Sequence, residues 1–121
     1  MKGIGIDAVD IERFRRVLAR RPTMRSRLFT SDELASLAAR NDDVASLAAR
    51  FAVREATMKA LGVGLGAFDF HDVSIESADD GKPSLRVAGR AAELARTRGV
   101  QRWHVSLSHT DHLAVAVVAA D

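Results

Sequence analysis

The segment from residue 44 to residue 61 constrains the fold more than any other part of this chain. It consists mostly of alanine, leucine, arginine and methionine, which are good helix formers, and it is bounded by Asn-Asp-Asp at 41–43 and by Gly62. These signals predict one long helix. Its apolar stripe consists of Val44, Leu47, Ala48 and Phe51. Glu55 is next on that stripe, where a helix that only packs on a core does not normally place a carboxylate.

The opening stretch KGIGIDAVDI predicts a strand, because apolar residues alternate with small or polar ones. One face carries Ile4 and Ile6. The other face carries two glycines, at 3 and 5, and then Asp7, which we expect to end the strand. Glycine inside a strand often marks the close approach of another backbone or of a ligand.

Asp7 and Glu55 are therefore both placed oddly for a purely structural role. A buried carboxylate costs several kcal/mol unless it is paired or holds a cation. One interpretation is that Glu55 pairs with Lys59 at i+4, which contributes about 0.3–0.5 kcal/mol on a helix surface. The other is that Glu55 and Asp7 meet across space and share a hard cation. Two carboxylates with waters and substrate phosphate oxygens are typical of Mg²⁺.

The regions beside the long helix predict further helices and a turn. A basic helix over 11–21 stops before Pro22. Thr30 and Glu33 form a capping-box pattern that starts a helix running to about residue 40. The sequence GVGLG at 62–66 follows a helix, so we expect a helix end and a turn there and not a nucleotide-binding loop.

The second half of the chain predicts strands and one more helix. Strands are expected at 72–77 and 84–88 joined by the turn ADDGKP, a helix at 89–98, and a hairpin of strands at 102–109 and 113–120. The order is that of an α+β domain with a largely antiparallel sheet and a long central helix. No linker or composition shift divides residues 1–121, so a single domain is expected.

The composition narrows the class of protein. The chain has no cysteine, which excludes disulfides and thiolate metal sites. The amino terminus has no signal-peptide pattern, and the longest apolar run, at 113–120, is far below the roughly 18 residues needed to span a bilayer. We therefore expect a cytoplasmic protein without membrane contact.

Positive charge is concentrated in one segment. Seven arginines and no acidic residue lie between Arg13 and Arg27. This run is either a solvated helix face or a docking surface for an acidic partner, which could be a protein, a nucleic acid or phosphates.

A set of five motifs resembles the holo-[acyl-carrier-protein] synthases, the small type of 4′-phosphopantetheinyl transferase. The motifs are GIGIDAVDIERF, LFTSDEL, LAARFAVREATMKALG, DGKP and HVSLSHTDHLAVAVV. They occur in the order that this family shows and cover nearly the whole chain. The combination of the first strand, the R-F-A-x-[KR]-E-A-x-x-K-A-L-G helix and the S-H-T strand end is highly specific.

The resemblance implies the family's fold and a reaction. The 4′-phosphopantetheine arm of coenzyme A moves to a serine of an acyl carrier protein, adenosine 3′,5′-bisphosphate is released, and the carrier serves fatty acid biosynthesis or polyketide synthesis. Asp7 and Glu55 match the family's Mg²⁺ ligands, and Lys59 matches a residue near the phosphates, so these three are the implied catalytic residues. The serine needs a base, for which a metal-held water, Glu55 and Asp111 are candidates.

The resemblance also implies binding residues and an assembly. The positions that match the coenzyme A pocket are Arg50, Lys59, Lys82, Ser108, His109 and Thr110. The candidate contacts with the acidic carrier are Arg13, Arg20, Arg21 and Met24. Family members are typically homotrimers with the active site at the subunit boundary. The chain departs from the family at Arg54, where lysine is common, and at Thr110, where some relatives carry aspartate.

Two other functions are compatible with parts of the sequence. A small basic nucleic-acid-binding module would use the arginine run, but the five Phe and one Trp form no evident stacking platform beside it, so no nucleic-acid partner is expected. A metal-dependent phosphohydrolase would use the same carboxylates, but such enzymes usually show more than two ligands, and the chain has no H-x-H or D-x-D cluster.

Overall fold

The computed structural model describes residues 1–77 and 81–121. Five strands are present in this part of the chain: β1 (Gly3–Asp10), β2 (Val73–Ser77), β3 (Pro83–Val87), β4 (Trp103–His109) and β5 (Leu113–Ala120). The α-helices are α1 (Ile11–Arg20), α2 (Met24–Leu28), α3 (Ser31–Leu37), α4 (Val44–Leu61) and α5 (Gly89–Thr97). The expected α+β architecture with a long central helix is confirmed.

The strands form two antiparallel sheets. β5 lies between β1 and β4 in a three-stranded sheet, and β2 pairs with β3 in a second one. The central helix α4 packs against β1 and β5 and also reaches β4 and β2. The helix therefore packs against both sheets, which explains why most of its side chains are buried.

Local sequence signals set most of the helix boundaries. α4 ends where Gly62 adopts a left-handed conformation, with φ of 69°. The capping box of α3 is present, because Thr30 accepts a hydrogen bond from the Glu33 backbone while the Glu33 side chain accepts one from Thr30. The residue at the N-cap of α4 is Asp43, whose side chain makes no capping hydrogen bond, and the Val44 backbone donates to the side chain of Asp42 instead.

Several boundaries differ from the sequence expectation. Asp7 does not end the first strand, because the pairing of β1 with β5 continues to Asp10, whose side chain then caps α1. The sequence analysis did not predict α2, and α3 ends at Leu37 instead of near residue 40. The first three residues of the expected ADDGKP turn, 78–80, lie outside the described residues.

The glycines of β1 allow the backbone of α4 to approach the sheet directly. A Cβ atom on Gly3 would lie 1.9 Å from the carbonyl oxygen of Ala60, and one on Gly5 would lie 1.9 Å from that of Ala56. The close approach suggested by these glycines is thus made by the central helix. The apolar face of β1 points the other way, because Ile4 and Ile6 are each 60% exposed.

Candidate active site

The packing of α4 on β1 brings Asp7 and Glu55 to one cleft. Asp7 lies on the glycine face of β1, which faces α4, and Glu55 lies on the side of α4 next to it. The cleft has a volume of about 560 Å³. Its walls include Arg13 and Phe14 of α1 and Phe51 of α4. The two carboxylates therefore share a space that is open to a ligand and has both apolar and basic walls.

The charges in the cleft act on one another. Burial raises the pKa of Glu55, and the nearby charge of Asp7 raises it further, while Lys59 opposes both effects. The Lys59 ammonium donates hydrogen bonds to Asp7 Oδ1 at 3.1 Å and to the Ile6 carbonyl oxygen at 2.9 Å. Lys59 thus pairs with Asp7, and not with Glu55 as the i+4 interpretation would require. Within the described residues, no hydrogen bond or ion pair engages the Glu55 carboxylate.

This arrangement fits a small divalent cation. A half-buried carboxylate without a partner beside a second carboxylate creates a place for positive charge, and the Lys59 ammonium already lies at its edge. Both donors are oxygens, as Mg²⁺ prefers. Among residues 1–77 and 81–121, no group of three or more His, Asp or Glu side chains could hold a metal ion. Asp7 and Glu55 would therefore leave most coordination positions to water and substrate.

Arg50 lies one turn before Arg54 on α4 and is half-buried. Its Nη1 donates to the Ser46 carbonyl oxygen, but its buried Nε has no hydrogen-bond partner. Burial lowers the pKa of Arg50, against the opposing charge of Glu33. This guanidinium is thus incompletely paired, and its assignment to the coenzyme A pocket stays a prediction.

The other residues expected at the coenzyme A pocket lie elsewhere in this protomer. Lys82 lines a groove of about 340 Å³ with Trp103 and His104, away from the cleft of Asp7 and Glu55. Ser108 and His109 are exposed at the end of β4, which is two strands away from β1.

Thr110 belongs to the same end of the sheet. Its hydroxyl accepts hydrogen bonds from the backbones of His112 and Leu113 and so stabilises the β4–β5 turn. A single copy of the chain therefore brings together Asp7, Glu55 and Lys59, but not Lys82 or the Ser108–Thr110 segment.

The expected carrier contacts form a surface continuous with the cleft. Arg13 lines the cleft itself, whereas Arg20, Arg21 and Met24 line a neighbouring groove of about 310 Å³. Val17 lies on the wall of both and connects them.

The arginines of this region are not equivalent. Arg15 pairs with Glu12 and Asp42, and Arg25 pairs with Asp43. Five others have no carboxylate partner in the part of the chain that the structure describes: Arg13, Arg16, Arg20, Arg21 and Arg27. The positive surface therefore comes from these five arginines.

A buried ion pair that was not predicted from the sequence involves Arg54, the residue before Glu55 on α4. Arg54 is 0% exposed and Glu33 is 2% exposed, and Arg54 Nη2 lies 2.5 Å from Glu33 Oε1. A signal was present, because Arg54 is seven residues from both Leu47 and Leu61 and so shares a buried helical face with them. Glu33 gave no such signal, since its capping-box role already explained it.

The structure is thus a small α+β fold with a cleft in which two carboxylates and a lysine could act on an anionic substrate. The sequence model of the 4′-phosphopantetheinyl transferase superfamily matches residues 3–118. The chain belongs to this superfamily, as the motifs predicted.

Known relatives extend over the whole chain. A holo-[acyl-carrier-protein] synthase from Salinispora arenicola is 47% identical over 118 residues, which are 98% of this chain and 96% of the relative. The crystal structure of the holo-[acyl-carrier-protein] synthase from Neisseria meningitidis has a TM-score of 0.90 at 30% identity, and covers 100% of this chain and 98% of its own. The Helicobacter pylori synthase was solved in complex with coenzyme A and has a TM-score of 0.82 at 28% identity. The match covers 98% of this chain and 99% of the Helicobacter pylori chain. The expected fold and transferase class are thereby confirmed.

No helix in the described part of the chain is long and apolar enough to cross a bilayer.

Proposed function

We propose that this protein transfers the 4′-phosphopantetheine arm of coenzyme A to a serine of an acyl carrier protein, in a Mg²⁺-dependent reaction that releases adenosine 3′,5′-bisphosphate. The observation that carries the proposal is the cleft in which Asp7 and Glu55 lie beside Lys59, next to a surface of unpaired arginines. The relatives named above act on acyl carrier protein, and one of them is solved with coenzyme A.

In this proposal Asp7 and Glu55 would hold Mg²⁺, which when bound supplies charge neutralisation at the diphosphate. Lys59 adds a second positive charge there once its ammonium moves from Asp7 to a phosphate oxygen. The serine oxygen attacks the β-phosphorus of coenzyme A, and the bond from that phosphorus to the bridging oxygen breaks. The serine proton would pass to a base, for which a metal-held water, Glu55 in the cleft and Asp111 at the β4–β5 turn of the neighbouring copy are the candidates.

The unpaired arginines serve carrier docking. Acyl carrier proteins are acidic, so a positive surface that leads into the cleft would steer the acceptor serine toward the carboxylates. Arg20, Arg21 and Met24 would contact the carrier beside the cleft, and Arg13 would contact it at the cleft entrance.

A homotrimer completes the site in this proposal. The outer face of the three-stranded sheet carries an apolar surface that no other element of the described chain covers: Ile4, Ile6, Ala8, Leu113, Val115, Val117 and Ala119. Burial of this face against other copies would bring Lys82, Ser108, His109 and Thr110 of one protomer toward Asp7 and Glu55 of the next. The number three rests on the family resemblance, and the cytoplasmic location remains a prediction.

Mass spectrometry of an acyl carrier protein tests the function. The carrier is incubated with coenzyme A and Mg²⁺, with and without this protein. We expect a mass increase of one phosphopantetheine group only when protein, coenzyme A and Mg²⁺ are all present. An unchanged carrier mass with a carrier that another synthase modifies would contradict the proposal. Equal binding of duplex DNA and of the carrier at matched salt would favour the nucleic-acid module instead.

A further inference from the structure

The ion pair between Glu33 and Arg54 connects four segments of the chain. Arg54 Nη1 and Nη2 donate to the two carboxylate oxygens of Glu33, at 3.1 Å and 2.5 Å, and its Nε donates to the Phe70 carbonyl oxygen at 2.9 Å. The Glu33 carboxylate also accepts from the backbones of Thr30 and Ile75. The pair thus joins the start of α3, the middle of α4, the turn before β2 and β2 itself.

Stability alone is a weak reason for this pair. Taking both charges out of water costs free energy that their attraction often fails to recover, and an apolar pair of similar volume is often as stable. The guanidinium is instead held in one orientation: its fork is bidentate, Nη1 also donates to the Arg50 carbonyl oxygen, and its central carbon lies 5.0 Å from the Phe29 ring centre. Such a contact fixes the orientation of the guanidinium as well as its distance from the Glu33 carboxylate.

The direction matters because Arg54 immediately precedes Glu55 on α4. Successive side chains on a helix are about 100° apart around its axis, so fixing Arg54 on one side fixes where Glu55 points. On another side of the helix, the backbone of α4 lies directly on the glycine face of β1, which also carries Asp7. Helix rotation would therefore change the separation of Asp7 and Glu55.

We infer that Glu33 and Arg54 are positioning residues for the proposed metal site: their buried pair sets the rotation of α4 so that Glu55 faces Asp7. This inference rests on the proposed function. It differs from a purely structural role in one respect, since it predicts a loss of metal affinity and turnover in a variant that remains folded.

The test is the double variant Glu33→Gln/Arg54→Met. The glutamine amide oxygen can still accept from the Thr30 backbone, and the methionine side chain fills a similar volume, so no uncompensated charge is buried. The matched control is Glu93→Gln/Arg90→Met, which removes an exposed ion pair of α5. For both variants we would measure the melting temperature, kcat and KM for the carrier, and binding of Mn²⁺ by EPR spectroscopy without substrates.

We expect the Glu33/Arg54 variant to lose about 10-fold to 100-fold in kcat and in Mn²⁺ affinity. Losses of this size are usual when residues that orient metal ligands are changed. Its KM for the carrier should stay the same, and the control should match the wild type in every measurement. A folded Glu33/Arg54 variant with unchanged kcat and Mn²⁺ affinity would overturn the inference.

If the double variant does not fold, Glu33→Asp replaces it. The shorter side chain keeps the charge but cannot reach the Arg54 guanidinium and the Thr30 and Ile75 backbones together, so an intermediate loss of kcat and Mn²⁺ affinity is expected, and no loss would overturn the inference. If the wild type itself transfers no phosphopantetheine, the proposed function fails. The Mn²⁺ measurement then decides the positioning role alone.

Discussion

At the scale of single residues, two glutamates near the central helix show how surroundings decide the role of a carboxylate. Burial and the charge of Asp7 raise the pKa of Glu55. Burial would also raise the pKa of Glu33, but the hydrogen bond and charge of Arg54 outweigh it and lower that pKa below its ordinary value. Glu33 is therefore ionised and fully hydrogen-bonded, whereas the Glu55 carboxylate has no hydrogen-bond or ion-pair partner in the described part of the chain.

Asp7→Asn and Glu55→Gln should each lower the rate of phosphopantetheine transfer by about 10³-fold or more, because each removes a metal-binding oxygen charge while keeping the shape of the side chain. The melting temperature should change little. Asp32→Asn, at an exposed position of α3, is the control and should be fully active. Initial rates from carrier mass spectra provide the measurement, and near-normal activity of either cleft variant in Mg²⁺ would remove the metal assignment.

The lowered pKa of Glu33 predicts how stability depends on pH. Because the folded pKa lies below the unfolded value of about 4.5, the ion pair contributes stability that is present above that pH and is lost as the pH falls through the folded pKa. Glu33→Gln should therefore melt at a lower temperature than the wild type at neutral pH, and the difference should narrow as the pH falls from neutral to below about 4.5. Scanning calorimetry across this range checks the expectation, and a constant difference would contradict it.

At the scale of elements, the site depends on how closely α4 packs on β1. The glycine face of the strand accepts the helix backbone without intervening side chains, so Asp7 and Glu55 come close although they lie far apart in sequence. The same packing makes α4 a shared core element of both sheets.

Gly5→Ala should destabilise the fold by about 1–3 kcal/mol, because the new methyl group would overlap the Ala56 carbonyl oxygen and push α4 from β1. Gly64→Ala is the matched control, since a Cβ there meets nothing within 4 Å. Its free energy of unfolding should stay within about 0.5 kcal/mol of the wild type. Urea unfolding of both variants gives the comparison. If Gly5→Ala were as stable as Gly64→Ala, the close packing of α4 on β1 would not require glycine at position 5.

The helix α1 should govern carrier docking and leave the chemical step unaffected. Arg13→Glu/Arg20→Glu should raise KM for the carrier strongly and weaken its dependence on salt, because these two arginines have no carboxylate partner in the described chain. KM for coenzyme A should change little. Arg86→Glu/Arg90→Glu reverses two charges elsewhere and is the control. An equal rise in KM for coenzyme A would place α1 in the phosphate pocket.

At the scale of the whole molecule, the sequence predicted what local signals control. The length of α4, the capping box of Thr30 and the hairpin of β4 and β5 follow from spacing, caps and turn signals, and all are present. The outward direction of Ile4 and the buried Glu33–Arg54 pair were not predictable in this way. They depend on which surfaces meet in three dimensions, which local sequence patterns do not encode.

The whole-molecule account predicts that the active site lies between two copies. In each protomer Asp7 and Glu55 lie in one cleft, whereas His109 lies at the far strand of the sheet. Asp7→Asn and His109→Ala should therefore each inactivate the oligomer, because one copy contributes Asp7 to the site and its neighbour contributes His109 to the same site. Neither variant should lose the ability to assemble, because neither residue belongs to the apolar outer surface of the sheet.

The most direct test is to co-express Asp7→Asn and His109→Ala chains with distinct tags, purify the mixed oligomers, and measure transfer by the mass of the carrier. Random mixing gives about one quarter of interfaces in which an intact Asp7 side meets an intact His109 side, so about a quarter of the wild-type rate should return. Each variant alone should stay inactive under the same conditions. If mixed oligomers form but remain as inactive as the separate variants, the site is not shared between copies and the account is contradicted.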